Sequence, residues 1–506
     1  MKTTVSLFAL ALGVACISCV DNSRFDMDIP PVVPGNAGGN GQEKPVESNY
    51  SEKHRPQIHY TPVANWVNDP NGMVYLDGVW HLYYQYNPGG PDWGNLSWGH
   101  ATSSDLVHWK EEAVVLRPDN LGMVFSGSAV CDHENSAGFG RDAIVALYTA
   151  SGEFQQQALA YSTDGGMTFA TYEGNPVIAN SSMPDFRDPK VFWHEETAQW
   201  IMCLAKGWSY GVELWGSADL RHWDRLSEFT IPDERCNKGQ WECPDLVRMR
   251  FNGHDKWVLL LSVNPGGPCG GSGTMYFPGE FDGTVFVADT RDDYPLWVDH
   301  GPDNYAGVTW SNAPEGRNVF IGWMNNWNYA GASPVSPWRS AFTLPRELTL
   351  IEKDGLATLC SRVVEELDGI AGSPQPVNGS FDAGDAYKLS LVLPTGENSR
   401  FSLSNSVGEC MEFVYNASSR SLTVKRNSRT GNTAFADLFS LPGVNVPLGC
   451  AGSATGLDIY VDQSSVEVFA SDGSATATFL VYPTCIYDRL DAVGLEATVT
   501  KLERIW

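Results

Sequence analysis

Positive charge is scarce in this chain. Lys and Arg total 33 against 60 Asp and Glu, a formal net charge of −27 over 506 residues. A nucleic-acid groove or a docking face for an anionic membrane needs the opposite balance, so neither partner is expected. Cysteine is sparse and unpatterned: the 11 positions are 16, 19, 131, 203, 236, 243, 269, 360, 410, 450 and 485, an odd set with no metal-type spacing. A dense disulfide framework is therefore not expected. The apolar run Val5 to Val14 is too short to cross a bilayer, which takes roughly 20 residues. Between His54 and Leu350 the sequence also lacks any amphipathic helical stretch of real length.

The beginning of the chain reads as an address. Residues 1–19 carry Lys2, the apolar run, then small residues and cysteine, the pattern of a lipoprotein-type export signal. Cys19 is the candidate lipidation site, because Ser18 before it is small and a polar segment follows at once; Cys16 is the alternative. The implied location is exported and lipid-anchored at a bacterial outer membrane or cell surface, with a periplasmic or secreted protein as the other reading. Residues 20–50, with Pro30-Pro31, Pro34-Gly35 and Gly38-Gly39-Asn40-Gly41, form a flexible tether with nothing to bury.

The remainder is all-β in texture. Residues 51–350 are a succession of short strands and turns, for example Ala143 to Tyr148, Lys190 to Trp193, Trp200 to Leu204, Lys256 to Val263, Thr284 to Ala288 and Val319 to Trp323. Asp77-Gly78 between two aromatic and β-branched runs is a strong hairpin signal. One unit recurs: Trp98 to Trp109 returns, shortened, as Trp215 to Trp223, with a looser copy at Tyr161 to Phe169. A strand, a Ser-x-Asp turn and a closing ring make a repeatable hairpin, which suggests the blades of a closed propeller. Residues 351–372 read as a linker. From 373 to 506 the strands alternate plainly, as in Val461 to Phe469 running into Asp472-Gly473, and a separate antiparallel sandwich is expected.

Three acidic motifs stand out. Asp69 lies in Trp66-Val67-Asn68-Asp69-Pro70-Asn71-Gly72, where Pro70 forces it into extended backbone at the entry to a sheet. Arg187-Asp188-Pro189 repeats the logic with an arginine beside the carboxylate, expected to keep Asp188 ionised. Trp241-Glu242-Cys243-Pro244-Asp245 sets Glu242 between an indole and a thiol, a surround expected to suit a general acid. Any one alone reads equally well as a turn or a strand-edge carboxylate. Three on separate blades fit a funnel that gathers side chains. The 18 Trp, 19 Tyr and 22 Phe are mostly accounted for by core packing, with stacking on sugar faces as another use.

At this point the chain resembles glycoside hydrolase family 32, the levanases, inulinases and invertases. The resemblance covers residues 54–506 and rests on Trp66 to Gly72, Gln85-Tyr86-Asn87-Pro88, Trp98-Gly99-His100-Ala101, Phe125-Ser126-Gly127-Ser128, Arg187-Asp188-Pro189 and Glu242-Cys243-Pro244. It implies a five-bladed β-propeller followed by a β-sandwich. It also implies Asp69 as nucleophile, Glu242 as acid/base, and Asp188 as the carboxylate that holds fructose hydroxyls. Asn68, Gln85, Trp93, Phe125, Ser126 and Arg187 match positions lining a fructose subsite, and Trp310 is a candidate stacking ring. Val67 is a mild departure from the Met, Ile or Leu usual there. The implied substrate is a fructan or fructo-oligosaccharide, cleaved with retention and without cofactor or metal. Rival readings are a surface endo-levanase, a non-catalytic glycan-binding lipoprotein, a fructosyltransferase of the same fold, and a sialidase, the last disfavoured by the sparse arginine.

Overall fold

From residue 65 onward each few hairpins' worth of chain closes into a small antiparallel sheet, and five such sheets follow one another. The computed structural model describes residues 48–448 and 455–506. The signal region, Cys16, Cys19 and most of the tether lie outside the described residues. The five sheets begin with Asn65–Leu76, Met123–Asp132, Arg187–His194, Gln240–Phe251 and Tyr305–Thr309. These first strands pack one on the next, and the fifth packs back on the first, so they are the inner wall of a ring of blades. The ring is fastened where Trp338–Arg339, from beyond the fifth blade's second strand, joins the first blade in parallel register, Asn65 opposite Trp338 and Trp66 opposite Arg339.

Local chemistry explains the hairpins. Asp77 (φ 49°) and Gly78 (φ 84°) both sit in the left-handed region, as a two-residue turn matched to strand twist requires. The recurring Ser-x-Asp unit is the turn after the third strand in each of the first three blades. Asp105 Oδ1 accepts from the amides of Val107 (3.0 Å) and His108 (2.8 Å), and Asp219 Oδ1 from those of Arg221 (3.0 Å) and His222 (2.9 Å). Asp164 does the same for Met167 and Thr168. The closing indoles of Trp109 and Trp223 donate to the carbonyls of Leu106 and Leu220.

Two boundaries differ from expectation. The segment 351–372 is not a linker for most of its length. Leu356–Val363 pairs with Arg346–Lys353 as the outermost strand of the fifth blade, turning on Asp354 (φ 52°) and Gly355 (φ 78°). Only the 3₁₀ turn Glu365–Ile370 and a few neighbours connect the domains. The tether also ends earlier than 50: the Tyr50 ring stacks on Trp506 at 3.9 Å, and Asn49 O accepts from Arg504.

The C-terminal part is a sandwich of two six-stranded sheets. Alternate residues such as Leu389, Leu391 and Leu393 on one sheet and Phe401, Leu403 and Phe413 on the other share a single core. Buried charge docks it on the propeller. Asp462 accepts from the amides of Gln57 and Ile58 and from His59 Nδ1 (2.7 Å), while His59 Nε2 meets Glu467 Oε1 at 2.7 Å. Arg346 ties Asp299 and Glu467 together in the same clasp.

Candidate active site

The inner strands of the blades share a defect. Their ladders skip between Val67 and Pro70, Val124 and Gly127, Glu242 and Asp245, and Tyr305 and Val308, and Asp188-Pro189 lies opposite the break between Cys203 and Ala205. Each skip is a bulge, which re-aims the side chains it contains. Three bulges hold a proline, which has no N–H to give to the ladder and is tolerated there. Asp188 (φ 65°), Cys243 (φ 48°) and Ala306 (φ 53°) take left-handed backbone inside them, a conformation that costs non-glycine residues about 1–3 kcal/mol and clusters at functional sites. Asp69 thus sits within a strand, at its bulge, and not in a loop ahead of the sheet.

The bulges bring the three acidic motifs together. Asp69 Oδ2 accepts from Ser126 Oγ at 2.6 Å, and Asp69 Oδ1 from Asn68 Nδ2 at 2.9 Å. Asn68 is itself oriented by the Trp66 indole, which donates to its Oδ1 at 2.7 Å. Asp188 Oδ2 accepts from the Cys243 amide at 2.9 Å, and its own amide donates to Thr149 Oγ1 at 3.0 Å. The Cys243 thiol lies 3.6 Å from Asp188 Oδ2 and 3.8 Å from Asp69 Oδ2, so one residue spans two carboxylates. Glu242 Oε1 accepts from Arg187 Nε (3.1 Å) and Nη2 (2.9 Å), and Glu242 Oε2 accepts a short bond from the Tyr305 hydroxyl.

Electrostatics follow from this crowding. Burial pushes the Asp69 carboxyl up to about 6, helped by the charge of Glu242, against the lowering hydrogen bonds of Ser126 and Asn68. Burial also raises Asp188, the charges of Glu242 and Asp69 add to it, and Arg187 and the Cys243 amide only partly offset them. The Tyr305 phenol is driven well above its ordinary value, so it stays a donor. Two expectations are corrected here. Arg187 makes its hydrogen bonds to Glu242, Asp185 (2.9 Å) and Gln155 (3.0 Å), and its charge lowers Asp188 only from nearby, which burial outweighs. Glu242 is not enclosed by indole and thiol: Trp241 turns into buried packing, the Cys243 thiol turns to Asp188 and Asp69, and the partners of Glu242 are Arg187 and Tyr305.

The other candidates separate into three groups. Ser126, Asn68 and Arg187 touch the carboxylates. Trp93 and Phe125 are half-buried and meet edge to face at 6.2 Å, beside Ser126. Gln85 is buried, and its Nε2 donates to Val124 O at 3.1 Å, bracing the second blade's bulge. Trp310 does not belong to the site. It is 4% exposed, its indole donates to His81 O, and its faces are covered by Trp80 and Trp109. Tyr305, Thr149, Gln155 and Asp185 were not found from sequence. Tyr305 alone carried a signal, since three of the other inner strands offer a carboxylate and the second offers Ser126, so the fifth should offer something as well.

An all-β propeller with three carboxylates gathered at one mouth, two of them raised by burial and one gripped by guanidinium and phenol, is the scaffold of a glycoside hydrolase. Residues 59–361 match the glycosyl hydrolases family 32 N-terminal domain, and residues 362–505 match the glycosyl hydrolases family 32 C-terminal model. The chain belongs to glycoside hydrolase family 32. It is 42% identical over 490 residues to a levanase of Bacillus subtilis, covering 91% of this chain and 72% of that one. It is 37% identical to an extracellular exo-inulinase of Aspergillus niger, over 88% of this chain and 93% of the relative. The crystal structure of an exo-inulinase from Aspergillus awamori superposes with a TM-score of 0.84 at 35% identity, over 91% of this chain and all of the other. The junction of the two family models at 361/362 coincides with the end of the fifth blade found above.

Proposed function

We propose that this chain is a retaining β-fructofuranosidase that hydrolyses fructans, levan or inulin, from the chain end through a covalent fructosyl-enzyme. The observation that carries the reading is Cys243, whose amide and thiol reach Asp188 and Asp69 while the preceding residue presents Glu242, so that three carboxylates face one small volume. Glu242 gives its proton to the glycosidic oxygen as Asp69 attacks the anomeric carbon; the carbon–oxygen bond breaks and an ester to Asp69 forms. Water then attacks the same carbon, Glu242 takes its proton, and Asp69 leaves as carboxylate. Asp188 accepts hydroxyls of the fructosyl ring. Arg187 and Tyr305 hold the Glu242 carboxyl in one orientation. The names of the relatives, levanase and exo-inulinase, support a fructan substrate, and the word extracellular supports an exported chain. Attachment through Cys19 is part of the same proposal: the full-length protein partitions with membranes, and Cys19→Ala releases it or blocks its processing.

Protonation of the leaving oxygen matters most for a poor leaving group such as another sugar. Glu242→Ala is therefore expected to lose about 10²–10⁴-fold on levan and inulin yet still form fructosyl-enzyme from a fructoside with an acidic aglycone. That intermediate should accumulate, and azide should restore its turnover. Asp69→Ala should lose every substrate alike. Near-normal fructan hydrolysis by Glu242→Ala would refute the assignment. Chromatography of early products separates release of fructose alone from the ladder of oligomers an endo-acting enzyme gives.

A further inference from the structure

At the opposite ends of the inner strands from the carboxylates lies a cleft of about 1070 Å³, with Cys131, His133 and Asn312 among its lining residues. Cys131 closes the second blade's first strand, and the chain returns to it at Asp142 after a ten-residue excursion. That excursion is rigid. The Asp132 carboxylate accepts from the amides of Ser136 and Ala137, both at 2.8 Å, and the Asp142 amide donates to Asp132 O at 3.0 Å. Three different ligand types are thereby set side by side: Cys131 Sγ, His133 Nδ1 and an Asp142 oxygen, all within 4.8 Å of one another.

His133 has a partner at each ring nitrogen. Asn312 Nδ2 donates to Tyr75 O at 2.8 Å, which turns Asn312 Oδ1 toward His133 Nε2 at 3.4 Å. With its proton on Nε2, toward Asn312, the ring can offer Nδ1 to an ion. Nδ1 faces Asp142 Oδ1 at 2.7 Å and Cys131 Sγ at 3.5 Å. Ligands about 2.3 Å (sulfur) and 2.0–2.1 Å (nitrogen) from a tetrahedral ion lie about 3.5 Å apart, which is the Sγ···Nδ1 separation found. The carboxylate must open by about 0.7 Å to match the same geometry, and the half-exposed Asp142 side chain has room to do so. An outer partner that orients the ligating imidazole is the usual companion of such sites.

We propose that Cys131, His133 and Asp142 form a site for a borderline divalent cation of the zinc class, remote from the glycosidase centre, with solvent in the fourth position. Binding exchanges the Cys131 thiol proton for the ion and pins the 133–142 loop to the end of its strand. The sequence gives no hint of it, because Cys-x-His followed nine residues later by Asp is not a recognised ligand spacing.

Titration of the chelator-treated full chain with Co²⁺ tests this. One ion per chain should bind, with the thiolate-to-cobalt charge-transfer band in the near ultraviolet, and Zn²⁺ should displace it and raise the unfolding temperature. His133→Gln, at a half-exposed position that keeps the fold, and Cys131→Ser should abolish the band, whereas Cys485→Ser should keep it. Asn312→Gly, which frees the left-handed backbone there (φ 58°) of strain while removing the amide, should weaken affinity about 10–100-fold. Fructan hydrolysis should be indifferent to chelator. Absence of the band, or its survival in His133→Gln, overturns the proposal and leaves a plain hydrogen bond between His133 Nδ1 and Asp142 as the reason for the short contact.

Discussion

The least obvious residue of the candidate site is Ser126. Its hydroxyl donates to the same carboxylate that burial is discharging, so it holds down a value that would otherwise climb further. If Asp69 must be ionised to attack, kcat/KM should fall as pH drops through about 6. A hydrogen bond to a charged group is worth about 1.5–3 kcal/mol, so Ser126→Ala should move that acid limb upward by about 1–2 pH units. An unmoved limb in the pH profile would mean that the limb belongs to another group. Tyr305→Phe removes the phenol from Glu242 and should lower kcat/KM on fructans about 10–100-fold while sparing a fructoside whose aglycone needs no proton. Asp188→Asn should cost about 10²–10³-fold or more in turnover, with Asp69 remaining the residue labelled by a covalent fructosyl trap; label on Asp188 would exchange their roles. The carboxylates themselves were legible because each stands one or two residues before proline in a short, unusual motif. Their partners were not: Arg187 was read as guarding its neighbour Asp188, but its hydrogen bonds cross to Glu242 on the next blade, and Gln155 and Thr149 come from a blade with no acidic motif to mark it.

Among the elements, the bulged inner strand is the unit that makes the site. Gly127 shows how little room it leaves: a Cβ there would lie 2.1 Å from Leu147 O, backbone that cannot step aside. Gly127→Ala is expected to destabilise by about 1–3 kcal/mol and to cost more activity than a distant substitution of equal stability loss, because Ser126 is displaced with it. Melting temperatures and kcat/KM for the pair of variants check this. The strands themselves were readable from alternation and turn chemistry, and the Ser-x-Asp unit marked three blades in advance. The fourth has only the remnant Asp282, which caps Thr284 and Val285 without the serine, and this delays the expected strand to Phe286–Ala288. The misplaced end of the propeller is instructive. Asp354-Gly355 is the same hairpin signal as Asp77-Gly78, and applying it twice would have kept Leu356–Val363 in the fifth blade. The bulges could not be read, since a skipped pair is a property of two strands and a sequence displays one.

For the molecule as a whole, the two domains meet across buried charge set within shared apolar packing, such as Met324 and Tyr329 against Phe439 and Tyr482. Burial alone would lower His59, yet the carboxylates of Asp462 and Glu467 on its two nitrogens carry it up to about 9. Its value in the folded chain exceeds the ordinary 6.5, so the stabilisation, about 3 kcal/mol, is complete below that ordinary value and is lost as pH rises through about 9. Unfolding temperature should therefore decline across that window, and His59→Gln should be less stable at neutral pH with a flatter alkaline decline; an equally steep decline would assign it to another group.

The fastening of the ring has a consequence in time. The strand that carries Asp69 is the first of the propeller to leave the ribosome, but its edge is completed by Trp338–Arg339, and the Trp323 indole donates to Val67 O at 3.0 Å, two residues from the carboxylate. Nearly 270 further residues must be made before that support exists. A nascent chain therefore carries its proposed nucleophile long before it has the means to aim it, and a product truncated ahead of residue 338 should be inert however well its early blades pair.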